Sequence, residues 1–379
     1  MNTIYLSVQG LLYIPFIAFI LLLIHLRDKA YWVDNILTKI DERFNSANQK
    51  LGIYVITISL AFLYGIIISA IVFPVSDVDE AMVGAIRSFF IDGKNPYIFD
   101  VVPHILYLPQ GTEIKYGTYN YGPVDLVIYG IGYFLFHQFV GPSWWIFVTN
   151  IILTTIIYLF IRQLSPTPET VKLLSFLFLF SWFLQDNAVL MCLFLAIAWF
   201  IHYKVESEKK YPLVVIVLTL GVLTKLYVAF VLLAYFVYIF KKDVRLWITN
   251  GILGAVIAII VSIPFSVIDV VKSILLFHVD LNIREGYATI QGGIPTYLEL
   301  FGLNILFIPI AVVLVILFLY LSEKYAHNQL NLKLAVFTTI CLVLLPSSGY
   351  SFFIIPSFFL LAQYYQNYIS NHNLTESMS

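Results

Sequence analysis

The chain has few charged residues and few cysteines for its length. Only 11% of its 379 residues are charged, whereas a soluble globular domain has roughly 25%. The two cysteines, Cys192 and Cys341, lie far apart in apolar segments, which argues against a disulfide framework or a cysteine metal centre. The net charge of −1 offers no basic patch for nucleic acid, and no Gly-rich loop of the P-loop or dinucleotide type occurs. We therefore expect neither nucleic acid nor a nucleotide as a partner.

Apolar sequence makes up most of the chain. Hydrophobic residues account for 60% of it and aromatic residues for 17%, and the mean hydropathy is +0.90. This composition predicts an all-α, polytopic integral membrane protein, in a cell membrane or a membrane of the endoplasmic-reticulum type. The segments expected to cross are 4–26, 51–73, 144–162, 171–185, 187–203, 212–223, 226–240, 246–264, 304–322, 334–346 and 352–369.

A further apolar segment, 124–139, is expected to lie in the membrane interface without crossing. With that assignment, 15 of the 21 Lys and Arg residues fall on one side, as the positive-inside rule requires, whereas a crossing would scatter them. The asymmetry places large non-cytoplasmic loops at 74–143 and 265–303. We expect residues 1–50 to form an N-terminal helix and cytoplasmic connector, 51–369 the main helical domain, and 370–379 a cytoplasmic tail.

Three carboxylates, Asp77, Asp79 and Glu80, follow the second apolar segment. Ionisable groups at a membrane border are costly, which makes a functional role the default hypothesis. A short helix over about 78–91, ended by Gly93, would hold them, and its apolar stripe would lie in the interface. One carboxylate is predicted to act as a general base for a hydroxyl group, because a neighbouring carboxylate and partial desolvation raise a carboxyl pKa. The alternative is a helix N-terminus whose acids serve only its dipole.

An aromatic turn precedes segment 124–139. Aromatic faces and amide groups suit a sugar, which presents C–H faces and hydroxyl groups together; the alternative is an interfacial aromatic belt. Pro123 is expected to begin the following helix, and Asp125 to serve its N-terminus and not catalysis. The residues of the turn are Tyr116, Tyr119, Asn120, Tyr121 and Gly122.

Two pairs of short apolar segments meet at Asp186 and at Lys225. Helices of 12 to 15 residues reach only about 18–22 Å, whereas the hydrocarbon layer is about 30 Å thick. Their tips should sink below the outer surface and line a water-filled cavity with the acidic motif. Lys225 is predicted to bind a phosphate there. The alternative is an ion pair with Asp186 or with the acids at 77–79.

Later outer segments supply further candidates. Arg284 suits a bidentate phosphate clamp, although a solvated pair with Glu285 would also explain it. His278 lies in the same loop, where a structural role is the alternative. Tyr350, in the last outer turn, could line the cavity.

The acidic motif, the run Gly93-Lys94-Asn95-Pro96-Tyr97 and the turn Tyr119-Asn120-Tyr121-Gly122-Pro123 together resemble GT-C fold glycosyltransferases that use polyprenyl-phosphate sugars. They look most like mannosyltransferases of the GPI mannosyltransferase I type. Asp77 and Asp79 match the family's Asp-x-Asp. Thr224-Lys225-Leu226-Tyr227 is similar to its Thr-Lys-x-Tyr-Pro, with Val228 where proline is usual. The Gln185-Asp186-Asn187 tip resembles its Arg-Gly-Asn-x-Asp region but lacks the arginine. The resemblance covers about residues 51–365.

This resemblance implies a GT-C-like bundle of about 11 transmembrane helices, with 51–369 as the catalytic domain and juxtamembrane helices in the first large outer loop. It implies inverting transfer of a sugar from a polyprenyl-phosphate donor to a lipid- or glycan-linked acceptor on the non-cytoplasmic face. Mannose is expected from its frequency in the family and not from any residue. Asp77 or Asp79 would be the base, and Lys225 and Arg284 would stabilise the leaving phosphate. The residues expected to bind substrate are Glu80, Tyr97, Tyr119, Asn120, Tyr121, Asp186, Lys225, His278, Arg284 and Tyr350.

Metal dependence and function class have alternatives. A divalent cation (Mg²⁺ or Mn²⁺) between Asp77 and Asp79 stays open, because carboxylates at i and i+2 alone make a poor cage. A transporter or flippase of lipid-linked sugar would also carry membrane charges, but the chain shows no clear inverted repeat and its acids cluster on one face. A non-catalytic assembly subunit would have no need for these acids or for a buried lysine.

Overall fold

The computed structural model describes residues 77–98, 101, 104–107, 113–116, 119–141, 144–164, 187–240, 243–279, 329–344 and 354–363, with residues 39, 306, 309, 310, 312, 313 and 316 as isolated positions. Within these ranges, the side chains of 77–80, 104–107, 113–116, 275–279 and 343–344 are excluded from the description. The predicted crossings 4–26, 51–73 and 171–185 lie outside the described residues, as does nearly all of 304–322.

The described part of the chain is mostly helical. Its helices are α1 (Asp77–Ile86, followed by a π-helical turn, Arg87–Ile91), α2 (Pro123–Val140), α3 (Trp144–Arg162), α4 (Ala188–Lys204), α5 (Lys210–Val222), α6 (Val228–Tyr235, continued by a π-helical turn, Phe236–Phe240), α7 (Val244–Ser262, continued by a 3₁₀ turn, Ile263–Phe265), α8 (Val267–Val279), α9 (Leu330–Leu344) and α10 (Ile354–Gln363).

These bounds follow from local sequence signals. Gly93 has a φ of +64°, a conformation that glycine adopts without strain, and it ends the helical segment begun by α1. Pro123 occupies the first turn of α2, where its missing N–H costs nothing. Asp243 caps α7 by accepting the N–H groups of Arg245 at 3.0 Å and Leu246 at 3.1 Å.

The helices α4, α5, α6 and α7 form an up-and-down series. Gly221, near the end of α5, lies against Phe194 of α4 and Val228 at the start of α6. At the other end, the ring of Tyr211 at the start of α5 lies 5.7 Å from that of Phe240, where the α6 segment ends. Successive helices of this series therefore run antiparallel. We call the end of the bundle at which α4 begins the upper end, and the opposite end the lower end.

The direction of α3 follows from one ring contact and two side-chain hydrogen bonds. The rings of Phe160, near the end of α3, and Phe200, in the second half of α4, lie 5.3 Å apart. Asn150, in the second turn of α3, accepts a 2.6 Å hydrogen bond from the Tyr129 hydroxyl of α2. Asn187, just before α4, bonds to α2 only one turn before Tyr129. If α3 ran antiparallel to α4, Asn150 would lie about 35 Å from Asn187 along the axis, at 1.5 Å per residue.

That distance is far beyond the reach of Tyr129, so α3 runs in the same direction as α4. Its first residue therefore lies toward the upper end. Because only residues 141–143 connect α2 to α3, the end of α2 lies there as well. Both ends of α2 are thus on the upper side of the bundle.

Among the residues that the structure describes, three helical segments are long and apolar enough to cross a membrane: Pro123–Val140, Trp144–Arg162 and Val244–Phe265. The last of these exposes a continuous apolar face that includes Ile248, Ile252 and Ile259, with Ile252 60% exposed. Such a face is stable against lipid but not against water. The helices predicted at 144–162 and 124–139 are confirmed as helices within one residue at each end.

Two expectations need correction. The fold was predicted to be all-α, but a short antiparallel hairpin, β1 (His104–Tyr107) and β2 (Glu113–Tyr116), lies within the loop 74–143, with His104 opposite Tyr116. The apolar stripe of α1 does not lie wholly in the interface, because Met82 and Ile86 are completely buried among protein side chains. At the end of this stripe, by contrast, Phe90 is 43% exposed.

Candidate functional site

A buried carboxylate occupies the upper end of the bundle. Asp125, in the first turn of α2, is 0% exposed. Its Oδ2 accepts a 2.8 Å hydrogen bond from the Tyr119 hydroxyl, and the Asn187 Nδ2 donates to both of its oxygens at 3.2 Å. A buried charge is tolerated only when it is well hydrogen-bonded. Asp125 therefore joins α2 to the aromatic turn and to the start of α4, and the expectation that it only serves its own helix terminus is incomplete.

Tyr119 stays a neutral donor in this arrangement. Burial raises the pKa of Tyr119 well above its ordinary value of 10.0, and the negative charge of Asp125 raises it further. Burial and then Asp125 likewise raise the pKa of Tyr97. The two rings meet edge to face, with centroids 5.6 Å apart. The carboxylate thus faces phenols that keep their protons.

Close backbone contact brings the α5–α6 turn to the same place. The Gly122 N–H donates to the Thr224 carbonyl at 2.9 Å, and the Val124 N–H donates to the Leu223 carbonyl at 3.0 Å. A Cβ atom on Gly122 would overlap the Leu223 carbonyl group. Glycine at position 122 is therefore required by packing, because any side chain would separate the start of α2 from this turn.

Lys225 follows directly in that turn and is 6% exposed. Its Nζ lies 5.1 Å from the centroid of the Tyr121 ring, within the range of a cation–π interaction. Tyr121 in turn meets Tyr119 edge to face at 5.4 Å. A buried cation and a buried carboxylate are therefore connected through two tyrosines of one turn.

The Asn95-Pro96-Tyr97 run holds the aromatic turn in place through hydrogen bonds. The Tyr97 hydroxyl donates to the Tyr121 carbonyl at 2.9 Å, and the Tyr119 N–H donates to the Pro96 carbonyl at 3.0 Å. The Asn95 Nδ2 donates to the Phe265 carbonyl at 2.7 Å. These bonds tie the segment that follows α1 to the junction of α7 and α8.

A hydrogen bond from α8 also reaches the aromatic turn. The Ser273 hydroxyl donates to the Tyr119 carbonyl at 2.6 Å. Residues more than 150 positions apart in sequence are therefore held together around Tyr119.

Two amide oxygens at this site lack partners. The Oδ1 atoms of Asn187, which is 0% exposed, and of Asn120 are buried without a hydrogen bond. Buried polar atoms without partners are uncommon in folded proteins, and a bound water or ligand is one explanation for each of them.

The structure brings five of the predicted substrate-binding residues into one region, although they are spread over positions 97–225 of the sequence. They are Tyr97, Tyr119, Asn120, Tyr121 and Lys225.

The remaining predicted residues are placed in part or not at all. Asp77, Asp79 and Glu80 form the first turn of α1, but their side chains are outside the description. The helical repeat places position 79 on the face of the buried Met82 and Ile86, whereas position 80 falls on the face of the exposed Arg87.

The sequence predicts His278 in a loop, but this residue belongs to the last turn of α8, and its side chain is outside the description. Helical hydrophobic periodicity in 267–279, with an acidic residue at Asp269 in the first turn, could have indicated that helix. Asp186, Arg284 and Tyr350 lie outside the described residues.

Sequence reasoning missed Asp125 and Asn187 as members of this site. Asp125 has a sufficient local explanation at a helix N-terminus, and Asn187 stands in the sequence only as part of a short tip. A carboxylate at the start of an apolar run, next to an aromatic turn, was the available signal.

Within the part of the chain that the structure describes, no group of three or more His, Cys, Asp or Glu residues could hold a metal ion. The side chains of Asp77 and Asp79, for which the sequence left a divalent cation open, are not among those described. No protein-family model, curated protein or solved structure matches this chain.

Proposed function

We propose that the protein is an integral membrane glycosyltransferase that moves a sugar from a polyprenyl-phosphate donor to a lipid- or glycan-linked acceptor. The proposed sugar is mannose, because it is the frequent one in the glycosyltransferase family that the sequence resembles. One observation carries the proposal: a buried cation, Lys225, and the buried hydrogen-bond acceptors around Asp125 lie in the same aromatic region. A polyprenyl-phosphate sugar has both an anionic part and a hydroxyl-bearing part. The site offers complementary chemistry to each.

The phosphate part suits Lys225. A lysine in an apolar protein is costly, and a phosphate oxygen is a good partner for its ammonium group. In the reaction, negative charge grows on the leaving phosphate, so a cation already in place stabilises the transition state without reorganisation. Arg284 is proposed to assist from the outer loop.

The base is proposed to be Asp79 or Asp77. The carboxylate takes the proton of the acceptor hydroxyl, and the freed oxygen attacks the anomeric carbon. The bond from that carbon to the phosphate oxygen breaks, and the polyprenyl phosphate leaves with the electron pair. Attack opposite the leaving group inverts the anomeric centre.

The distribution of charge supports a site on the non-cytoplasmic side. The positive-inside rule assigns the more basic end to the cytoplasm. Described basic residues at the lower end are Arg162, Lys204, Lys209, Lys210, Arg245 and Lys333, and those at the upper end are Arg87, Lys94, Lys115, Lys225 and Lys272. The upper position of both ends of α2 supports a juxtamembrane helix at 123–140, as in the proposed GT-C-like arrangement.

Sugar transfer by the purified protein tests the proposal. Labelled polyprenyl-phosphate mannose would be the donor, and the native membrane lipid and glycan fraction the acceptor. The wild type would be compared with Asp79→Asn, Asp77→Asn and, as a matched control, Asp92→Asn, since Asp92 is exposed. Loss of transfer in one motif variant that still folds, with the control unchanged, is expected.

Two other outcomes would replace the proposal. If the wild type neither transfers nor hydrolyses mannose or other sugars on this carrier, and instead moves lipid-linked sugar across vesicles, the protein is a transporter. If it does neither, the enzyme proposal is wrong and an assembly role replaces it.

A further inference from the structure

The orientation of the Asn187 amide is fixed by its neighbour. A carboxylate accepts hydrogen bonds and donates none, so the Nδ2 of Asn187 must face Asp125. Both 3.2 Å contacts join that nitrogen to the Asp125 oxygens. The Oδ1 of Asn187 therefore points away from Asp125, and turning the amide over would place two acceptors against each other.

This oxygen is costly to leave alone. Asn187 is 0% exposed, and its Oδ1 has no hydrogen-bond partner. A buried acceptor deprived of water loses its hydration without compensation. Asn187 thus carries an unmet requirement for one donor.

Asn120 carries a second requirement of the same kind. Its Oδ1 is also buried without a partner. Asn120 directly follows Tyr119, whose hydroxyl donates to Asp125. The two amide oxygens therefore belong to the two segments that meet at one carboxylate.

The chemistry of these atoms selects the class of ligand. Amide oxygens accept only, so they repel phosphate oxygens and attract hydroxyl groups. Lys225, by contrast, only donates. A ligand with a phosphate at one end and several hydroxyl groups at the other is chemically complementary to both.

We propose that the Oδ1 atoms of Asn187 and Asn120 form the sugar subsite, each accepting a hydrogen bond from a hydroxyl of the transferred sugar. This assignment rests on the proposed function and adds to it which residues recognise the sugar. Asp125 and Tyr119 act as positioning residues, because they hold the two amides without touching the sugar.

Direct binding of labelled polyprenyl-phosphate mannose and of its mono-deoxy analogues tests this subsite. The proteins are the wild type, Asn187→Ala, Asn120→Ala and the matched control Asn250→Ala, a buried asparagine of α7 that donates to Leu246. The wild type is expected to bind one deoxy analogue about tenfold more weakly, the loss of about one hydrogen bond. Asn187→Ala should bind the natural donor about tenfold more weakly than the wild type does. In this variant, removing the sugar hydroxyl should cause no further loss, so that the analogue and the natural donor bind equally. Asn250→Ala should match the wild type.

Tyr119→Phe separates ligand contact from positioning, since it disturbs Asp125 but keeps both amide oxygens. It should still discriminate against the deoxy analogue. In each asparagine variant, the loss of affinity from the substitution could instead add to the loss from the missing hydroxyl for every analogue. That result would overturn the subsite while leaving the proposed function standing. Equal binding of all analogues by the wild type would overturn it too, because then only water satisfies these oxygens. Failure of the wild type to bind the natural donor would overturn the proposed function and the subsite together.

Discussion

Gly122 and Thr224 are joined by a 2.9 Å hydrogen bond from the Gly122 N–H to the Thr224 carbonyl. This bond places the first turn of α2, with its buried Asp125, directly against the turn that carries Lys225. The aromatic turn, the start of α4 and the α7–α8 junction are assembled around this contact. Substitutions at these positions should therefore affect both stability and sugar transfer.

Gly122→Ala should lower the stability of the protein by about 1–3 kcal/mol, the usual cost of forcing extra volume into a packed contact. The added Cβ overlaps the Leu223 carbonyl, and the backbone cannot yield without losing its hydrogen bonds. Thermal unfolding in detergent would measure the change. Gly251→Ala is the matched control, because a Cβ there meets only Phe236 at 3.9 Å and alanine favours the helix. Equal stability of the two variants would show that Gly122 does not pack tightly against the Leu223 carbonyl.

Tyr119→Phe should cost about 1–3 kcal/mol near neutral pH, because it leaves a buried carboxylate without one of its donors. The folded pKa of Tyr119 is raised above its unfolded value of 10.0. Its contribution is therefore complete below about pH 10 and is lost as the pH rises through the folded pKa.

Thermal unfolding of the wild type and Tyr119→Phe from pH 7 upward checks both statements. The difference between the two melting temperatures should be constant up to about pH 10 and shrink above it. Tyr133→Phe, whose ring packs on Trp145 away from Asp125, should stay within about 0.5 kcal/mol of the wild type. A difference that grows with pH would contradict the neutral-donor role.

Lys225→Gln should reduce kcat/KM for sugar transfer by about 10²–10³-fold, the range seen when one group that stabilises developing negative charge is removed. Steady-state kinetics with the polyprenyl-phosphate donor would measure it. The matched control is Lys94→Gln, since Lys94 is exposed in the same outer region. Similar rates for both variants would remove Lys225 from the site.

A cysteine placed at Gln138 should react with a membrane-impermeant maleimide from the same side as one at Asp92, and from the opposite side to one at Glu206. All three positions are exposed, and the first two lie at the upper end. Intact right-side-out and inverted vesicles give the measurement, in a background in which Cys192 and Cys341 are replaced by serine. Labelling of Gln138 together with Glu206 would mean that α2 crosses the membrane.

Several features could be read from the sequence because they depend on local chemistry. The helix 144–162 follows from a long, predominantly apolar run, and the start of α2 follows from Gly122-Pro123, since both signals act within a few residues. The turn at Thr224-Lys225 followed from the boundary between two short apolar segments, whereas its burial inside the protein did not, since a water-filled cavity was expected there. The β-hairpin was missed because its two strands are only four residues long and carry little periodic signal.

The sequence by itself determined the class of the protein, because 60% hydrophobic residues with 11% charged residues leave helices in a membrane as the stable solution. It also predicted that Asp77, Asp79, Asp186 and Lys225 lie on one side of the membrane, from the asymmetry of basic residues between the loops. Only the tertiary structure decided that Asp125 and Asn187 meet there. Hydrogen bonds between residues 62 positions apart depend on how helices pack, and no local pattern encodes that packing.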